Sequence, residues 1–141
     1  MPSLSFHNCF AEHFETSLTF DVELGKERDY ALSMACKAQP VVNSDVAILS
    51  IVLEIEARLS ADSERPIAAV RGKFHAIFVR ENMKDEDIDE RLRLDAFPIA
   101  IDAIRNMIVR STSILNLPEL FDFPDVDMKM VKWMDPIESH N

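Results

Sequence analysis

The side chains of this sequence that commonly bind metal ions or attack substrates are spaced poorly for either task. His7 and Cys9 stand two residues apart, but two ligands are too few for a zinc site. The Ser-Thr-Ser run at residues 111–113 has no neighbouring base to activate a nucleophile. Cys36 falls on the apolar face of a predicted strand, where a thiol is usually a small core residue. We therefore expect no enzymatic activity, no metal site and no cofactor.

The densest acidic run, Asp-Glu-Asp-Ile-Asp-Glu at residues 85–90, resembles a cation site only in composition. It lacks the alternating ligands and the glycine of a calcium loop. Acidic residues favour the first turn of a helix and basic residues the last, and Arg91 and Arg93 follow this run. The pattern predicts the exposed start of a short helix over residues 82–94.

Composition narrows the class of partner. The chain has 141 residues, enough for one domain, and a net charge of −10, which argues against nucleic acid as a ligand. Gly25 and Gly72 are its two glycines, so no glycine-rich phosphate loop can be written. The two cysteines form no CxxC pair, and neither a signal peptide nor an apolar run of membrane-spanning length is visible. We expect a cytoplasmic protein with free thiols and no membrane span.

Apolar residues alternate with polar ones in four segments, as in strands with one buried face. The third segment is apolar on both faces at one end, because Ile48 and Val52 lie opposite its main apolar face. We therefore expect a second surface to pack against this strand. A helix is the rival interpretation of this segment. Gly72 indicates a bulge in the fourth segment, and Pro40 is expected to end the second segment. The predicted strands cover residues 14–24, 29–39, 46–60 and 67–80.

A long helix is predicted after these strands, within residues 95–117 and ending near Asn116. Pro98 suits its first turn and Asp95 the positive end of its dipole, and Pro118 prevents it from continuing. The opposite face of this helix is partly apolar, because Ile99 and Val109 lie there among polar residues. This pattern indicates a second contact surface. The apolar stripe comprises Phe97, Ile101, Ile104, Ile108 and Leu115.

Together these elements predict an α+β fold: a four-stranded antiparallel sheet followed by a short and a long helix. We expect three regions. Residues 1–12 form a flexible arm, residues 13–122 form the domain, and residues 123–141 form an extended tail. Trp133, with Met130 and Met134, is the expected anchor of that tail, which either covers a groove, docks a partner or stays unstructured.

The order of elements resembles the SecB family of protein-export chaperones. That family opens its first long helix with aromatic-Pro-x-Ala, and Phe97-Pro98-Ile99-Ala100 stands at that place; Ile104, Val109 and Arg110 continue the family pattern. A looser match follows in Leu117-Pro118 and Phe121-Asp122-Phe123-Pro124. Ala103 and Ser111-Thr112 depart from it.

The resemblance implies a homotetramer, a dimer of dimers, that holds unfolded polypeptide or preprotein clients in apolar grooves without ATP. The grooves would bind apolar side chains of the client, and ordinary core packing is the alternative for each lining residue. The candidate client-binding residues are Phe74, Phe78, Met107, Leu117, Phe121 and Phe123, and the candidate interface residues are Ile48, Val52, Ile99 and Val109.

The family stretch tied to export docking is aromatic-x-Lys-Asp-x-Ser-aromatic-Glu, and residues 14–23 of this chain differ from it. The difference counts against docking to the SecA translocase motor. It leaves open a SecB-like relative with another client, such as an aggregation-prone antitoxin. Two further alternatives are a structural or adaptor oligomer without clients, and a small-ligand pocket under the long helix.

Overall fold

The computed structural model describes residues 2–18, 31–60, 62–114, 126 and 128–138. Within them, one sheet lies against one helical rod, which confirms the α+β class. The four long strands are β1 (Ser3–Leu18), β2 (Ala31–Val42), β3 (Val46–Arg58) and β4 (Ala68–Glu81). They pair antiparallel in the order β1-β4-β3-β2.

The expected count of four strands is wrong, because the C-terminal region adds two. The short strands β5 (Val131–Trp133) and β6 (Ile137–Glu138) both pair with β2, and both run parallel to it. Within the part of the chain that the structure describes, the sheet therefore has six strands of mixed orientation. These residues were predicted to form an extended tail, and runs of two or three residues are too short for an alternation pattern to predict.

The first strand also begins earlier than predicted. Residues 3–12, predicted as a loose arm, belong to β1 and pair with β4. The register shifts between Phe6 and Asn8 and again between Ala11 and His13. Each shift inserts a residue and interrupts the alternation, which is why the sequence pattern hid this half of the strand. Residues 19–24 of the predicted first strand lie outside the described residues.

Strand β2 continues through Pro40, where the sequence predicted an end. Residues 36–38 pair with β5 and residues 41–42 pair with β6. Pro40 falls between these two pairings, where β2 has no parallel partner in the described part of the chain. A proline without an N–H is tolerated at such a position of an edge.

No bulge occurs at Gly72, contrary to the prediction. Gly72 pairs in register with Phe14 on β1 and with Leu53 on β3. A Cβ at this position would lie 2.5 Å from Cε2 of the Phe74 ring. The glycine is required because that ring occupies the space of a side chain, and not because the backbone bends.

The helical region is one continuous rod. It comprises α1 (Asp85–Arg91), a π-helical segment (Leu92–Ala96) and α2 (Phe97–Ile114). Pro98 and Asp95 were predicted at a helix start, but both lie inside the rod. The N–H of Phe97 donates to the carbonyl of Leu92, five residues back. This wider turn accommodates Pro98, whose ring would clash with the i−4 carbonyl in regular α-helix.

The core lies between the inner face of the sheet, which faces the rod, and one stripe of the rod. The odd-numbered residues of β3 from Leu49 to Ile55 point inward and are buried, as the alternation predicted. Phe97, Ile101, Ile104 and Ile108 of the rod are buried against them, and Leu115 lies outside the described residues. None of the described helices is long and apolar enough to cross a membrane.

Candidate functional site

A cavity of about 500 Å³ opens on the inner side of the sheet beside the end of β2. We call it the β2 cleft. Its walls come from the end of β2, the turn into β3, the end of β4, helix α1 and the C-terminal region. The lining residues are Pro40, Val42, Asn43, Ser44, Arg80, Asp85, Ile88, Asp89, Pro136 and Glu138.

Arg80 holds the rim of the β2 cleft together. Its side chain is 7% exposed, and its guanidinium donates to the carbonyls of Asn43 at 2.6 Å and Met83 at 2.8 Å. A third bond, 2.7 Å long, joins it to the carboxylate of Asp85. The planar fork of an arginine satisfies acceptors from several elements at once. Arg80 thus fixes the β2–β3 turn to the start of α1.

The turn itself is fixed by a local side-chain bond. The amide oxygen of Asn43 accepts hydrogen bonds from the backbone N–H groups of Asp45 (2.9 Å) and Val46 (2.8 Å). Asparagine commonly closes turns in this way, because its side chain mimics a backbone carbonyl. This wall of the cleft is therefore preformed.

The β2 cleft combines an apolar floor with acidic groups. Pro40, Val42 and Ile88 supply apolar surface, while Asp89 and Glu138 add carboxylates. Asp89 is paired with Arg93 at 3.3 Å, and Asp85 is paired with Arg80. Because arginines neutralise both aspartates, the lining suits an apolar segment.

The C-terminal region already lies along this edge as an extended chain. The N–H of Met134 donates to the carbonyl of Ala38 at 2.8 Å, and the side-chain amide of Gln39 donates to the carbonyl of Asp135 at 3.1 Å. Backbone pairing of this kind satisfies the exposed groups of an edge strand. Edge β2 therefore accepts an extended peptide segment.

Trp133 is the principal side-chain contact of that segment. Its ring meets Phe97 edge-on, with centroids 5.2 Å apart, and the guanidinium carbon of Arg93 lies 5.0 Å from its ring centroid. An aromatic ring between an aromatic edge and a cation gains from both contacts. We call Arg93 and Phe97 the aromatic seat. Val131, on the same face of β5, is also buried.

The outer face of the sheet carries a polar row that links three strands. Ser50 Oγ lies 2.8 Å from His75 Nδ1, and His75 Nε2 lies 3.3 Å from Glu12 Oε1. A single histidine tautomer satisfies both contacts, with the serine hydroxyl donating and Nε2–H donating to the carboxylate. Ser50 lies in β3, a central strand that pairs with β2 on one side and β4 on the other. The backbone groups around Ser50 are therefore used in strand pairing. The row ties β1 to the sheet.

The Lys73 ammonium, 3.3 Å from the Glu12 carboxylate, and the His75 ring hold the pKa of Glu12 below its usual range. Opposite charges and donated hydrogen bonds stabilise the ionised form of a carboxyl group. On the inner face, burial raises the pKa of the Cys36 thiol to about 11, and burial also raises the pKa of Cys9. Both cysteines are free thiols.

The structure places two of the predicted client-binding residues in the core. Phe74 and Phe78 are fully buried, with Phe14 edge-on to Phe74 and Phe6 edge-on to Phe78. Even-numbered residues of β4 point at the rod, so ordinary packing explains both. Met107 is half-buried against the same core. Leu117, Phe121 and Phe123 lie outside the described residues.

Of the four residues predicted at an oligomer interface, three are exposed and one is half-buried. Ile99 and Val109 on the rod are 44% and 43% exposed. Val52, 44% exposed, and Ile48, half-buried, lie on the outer face of the sheet. The predicted interface role stays a prediction.

The β2 cleft and the aromatic seat were missed by sequence reasoning. Pro40 and Val42 lie at the end of β2, whereas the sequence predicts that this strand ends at Pro40. Trp133 was singled out as an anchor, but its partners Arg93 and Phe97 lie far from it in sequence. Their meeting depends on the parallel pairing of β5 with β2.

No family model matches the chain, and no curated protein matches it in sequence. Among solved structures, the chain is similar to the SecB-like chaperone Rv1957 of Mycobacterium tuberculosis, in complex with a ChAD peptide from the antitoxin HigA1 (Rv1956). The TM-score is 0.58 at 13% sequence identity, over 87% of this chain and 90% of that one. Likeness at this identity shows a shared fold: the chain has the fold of a SecB-like chaperone.

Proposed function

We propose that this protein is a SecB-like chaperone that holds unfolded polypeptide segments without ATP and acts as a homo-oligomer in the cytoplasm. The observation that carries the proposal is the extended segment seated on β2, with its backbone paired and Trp133 in the aromatic seat. A surface that binds an extended aromatic segment of its own chain has the chemistry needed for a segment of another. The SecB-like fold and the peptide bound by Rv1957 support the same conclusion.

Binding along an edge strand suits a chaperone because the hydrogen bonds are made to the client's backbone, which every client has. The side-chain contribution comes from apolar surface in the β2 cleft, at about 25 cal/mol per Å² buried. The net charge of −10 favours clients with basic residues and keeps an oligomer with apolar surfaces in solution. No step of this mechanism requires catalysis or a cofactor.

The client class has two candidates. The antitoxin peptide bound by Rv1957 favours a dedicated client of that kind. A role in protein export is the second candidate, and the departure of residues 14–23 from the export family makes SecA docking the weaker one. Polypeptides that copurify with this protein from the source cell distinguish the two candidates. Binding of SecA is scored separately in the same assay.

Whether the protein holds unfolded polypeptides is tested by its ability to suppress their aggregation. A chemically denatured enzyme is diluted into buffer without ATP, and light scattering is followed with increasing amounts of this protein. We expect scattering to fall to less than half at near-stoichiometric amounts. A stable oligomer that leaves scattering unchanged at every ratio overturns the proposal and favours a structural or adaptor role.

A matched pair of variants locates the activity. Val42→Lys places a charge in the β2 cleft, whereas Ala35→Lys places the same charge at an exposed position of the same strand. We expect the first to lose suppression and the second to keep it. Circular dichroism establishes that both variants are folded.

A further inference from the structure

The C-terminal segment is attached to the sheet by a small number of contacts. We call residues 128–138 the docking tail. It contributes three residues of parallel pairing through β5 and two through β6. Parallel ladders of this length are weak by themselves, since even a complete two-stranded hairpin is marginal in water. The docking tail is thus held at a few points, chiefly the side chains of Val131 and Trp133 and the N–H of Met134.

The docking tail has the chemistry of a client. Its sequence alternates buried Val131 and half-buried Trp133 with exposed Lys132 and Met134, so one face is apolar and the chain is extended. Met134 and Ile137 remain substantially exposed. An unfolded polypeptide with an aromatic residue and a neighbouring basic residue would present the same groups to β2.

The docking tail also occupies the place that such a polypeptide would take. It pairs with the edge of β2, fills the aromatic seat, and supplies Pro136 and Glu138 to the wall of the β2 cleft. Two chains cannot pair with the same edge of one strand at the same residues.

We propose that the docking tail is an intramolecular competitor that closes the client site until a client displaces it. This inference rests on the function proposed above. A site that is open for a fraction of the time binds its ligand more weakly by that fraction, so a tail seated nine-tenths of the time weakens client binding roughly tenfold. Clients that match the tail's pattern, with an aromatic residue at the Trp133 position, displace it best.

The probe is a fluorescein-labelled synthetic peptide with the sequence of residues 128–138, added to the full chain. Met134→Pro removes the N–H that donates to Ala38 and should release the tail. Met134→Ala keeps that N–H and is the matched control. Fluorescence anisotropy should show the peptide binding to the Met134→Pro variant at least fivefold more tightly than to the wild type or the control.

Trp133 gives a second readout, because it is the single tryptophan of the chain. Addition of an unlabelled peptide in which phenylalanine replaces Trp133 should shift the protein's tryptophan emission to the red as Trp133 leaves its seat. The variant Trp133→Phe, which keeps a ring in the seat, should bind the labelled peptide closer to the wild type than Trp133→Ala does.

Equal affinity of the wild type and the Met134→Pro variant for the peptide overturns the inference, as does a Trp133 emission that stays unchanged at saturation. A Met134→Pro variant whose oligomer separates into smaller species overturns the intramolecular form, because the tail then belongs to a neighbouring copy. Tighter peptide binding by Met134→Pro supports the inference that the docking tail competes with clients. If this is found, and neither the wild type nor the variants suppress aggregation, the result counts against the chaperone proposal alone.

Discussion

The ring of Trp133 meets the ring of Phe97 edge-on, with 5.2 Å between their centroids and 61° between their planes. Phe97 opens α2 and is buried in the core, whereas Trp133 belongs to a strand of three residues at the far edge of the sheet. Together with the Arg93 guanidinium over the same ring, this contact joins the C-terminal region to the helical rod.

The cation–π contact between Arg93 and Trp133 should be measurable as a coupling energy. In a double-mutant cycle of Arg93→Gln and Trp133→Leu, we expect about 0.5–1 kcal/mol of coupling in the free energy of unfolding, since the contact lies near the surface. Urea denaturation measures it. Arg91→Gln, two residues earlier and bonded to Asp95, is the control and should add to Trp133→Leu without coupling.

Arg80→Gln should destabilise the fold by about 1–3 kcal/mol, because it leaves the partly buried carbonyls of Asn43 and Met83 without their donor. Arg80→Lys should recover only part of this, since an ammonium does not reproduce the fork. Thermal and urea unfolding provide the measurement. Arg105→Gln, at an exposed pair with Asp102, should cost about 0.5 kcal/mol or less, and an equal cost at both sites would contradict the role assigned to Arg80.

Gly72→Ala should cost about 1–3 kcal/mol of stability, because the added methyl group overlaps the Phe74 ring. The cost should shrink when Phe74→Leu is introduced first, although that change is destabilising by itself. Chemical denaturation of the two single variants and the double variant tests the idea. Strict additivity would show that the backbone, and not the ring, requires glycine.

Glu12 should make stability depend on pH in the acid range. Its folded-state pKa is lowered, so its contribution is fully present above its unfolded pKa of about 4.5 and is lost as the pH falls through the folded value. Melting temperatures of the wild type and Glu12→Gln, compared from pH 7 to 3, should differ by a small amount that vanishes at the acid end. In a Lys73→Met background the difference at pH 7 should be smaller, because the largest cause of the shift is gone.

Val109→Asp should dissociate the proposed oligomer if the exposed face of α2 is a contact between copies. A carboxylate in an apolar interface loses hydration without gaining a partner. Light scattering coupled to gel filtration measures the mass. Val109→Ala keeps an apolar helix former at this 43%-exposed position and should leave the mass unchanged. A wild-type protein that is already a monomer would refute the oligomer directly.

The sequence by itself determined which faces of the long elements are buried. Leu49 to Ile55 on β3 and the Phe97 to Ile108 stripe on the rod were predicted from their periods, because burial of one face imposes a period of two on a strand and 3.6 on a helix. The charge order of α1, acidic in its first turn and basic in its last, followed in the same way from the helix dipole.

Only the tertiary structure decided what meets across the sheet. The bulges of β1, the passage of β2 through Pro40, and the pairing of β5 and β6 with β2 depend on register between distant segments, which no local pattern encodes. The same register buries Phe78 and brings Trp133 to Phe97. Local periodicity reports that a face is covered, whereas long-range pairing decides which residues cover it.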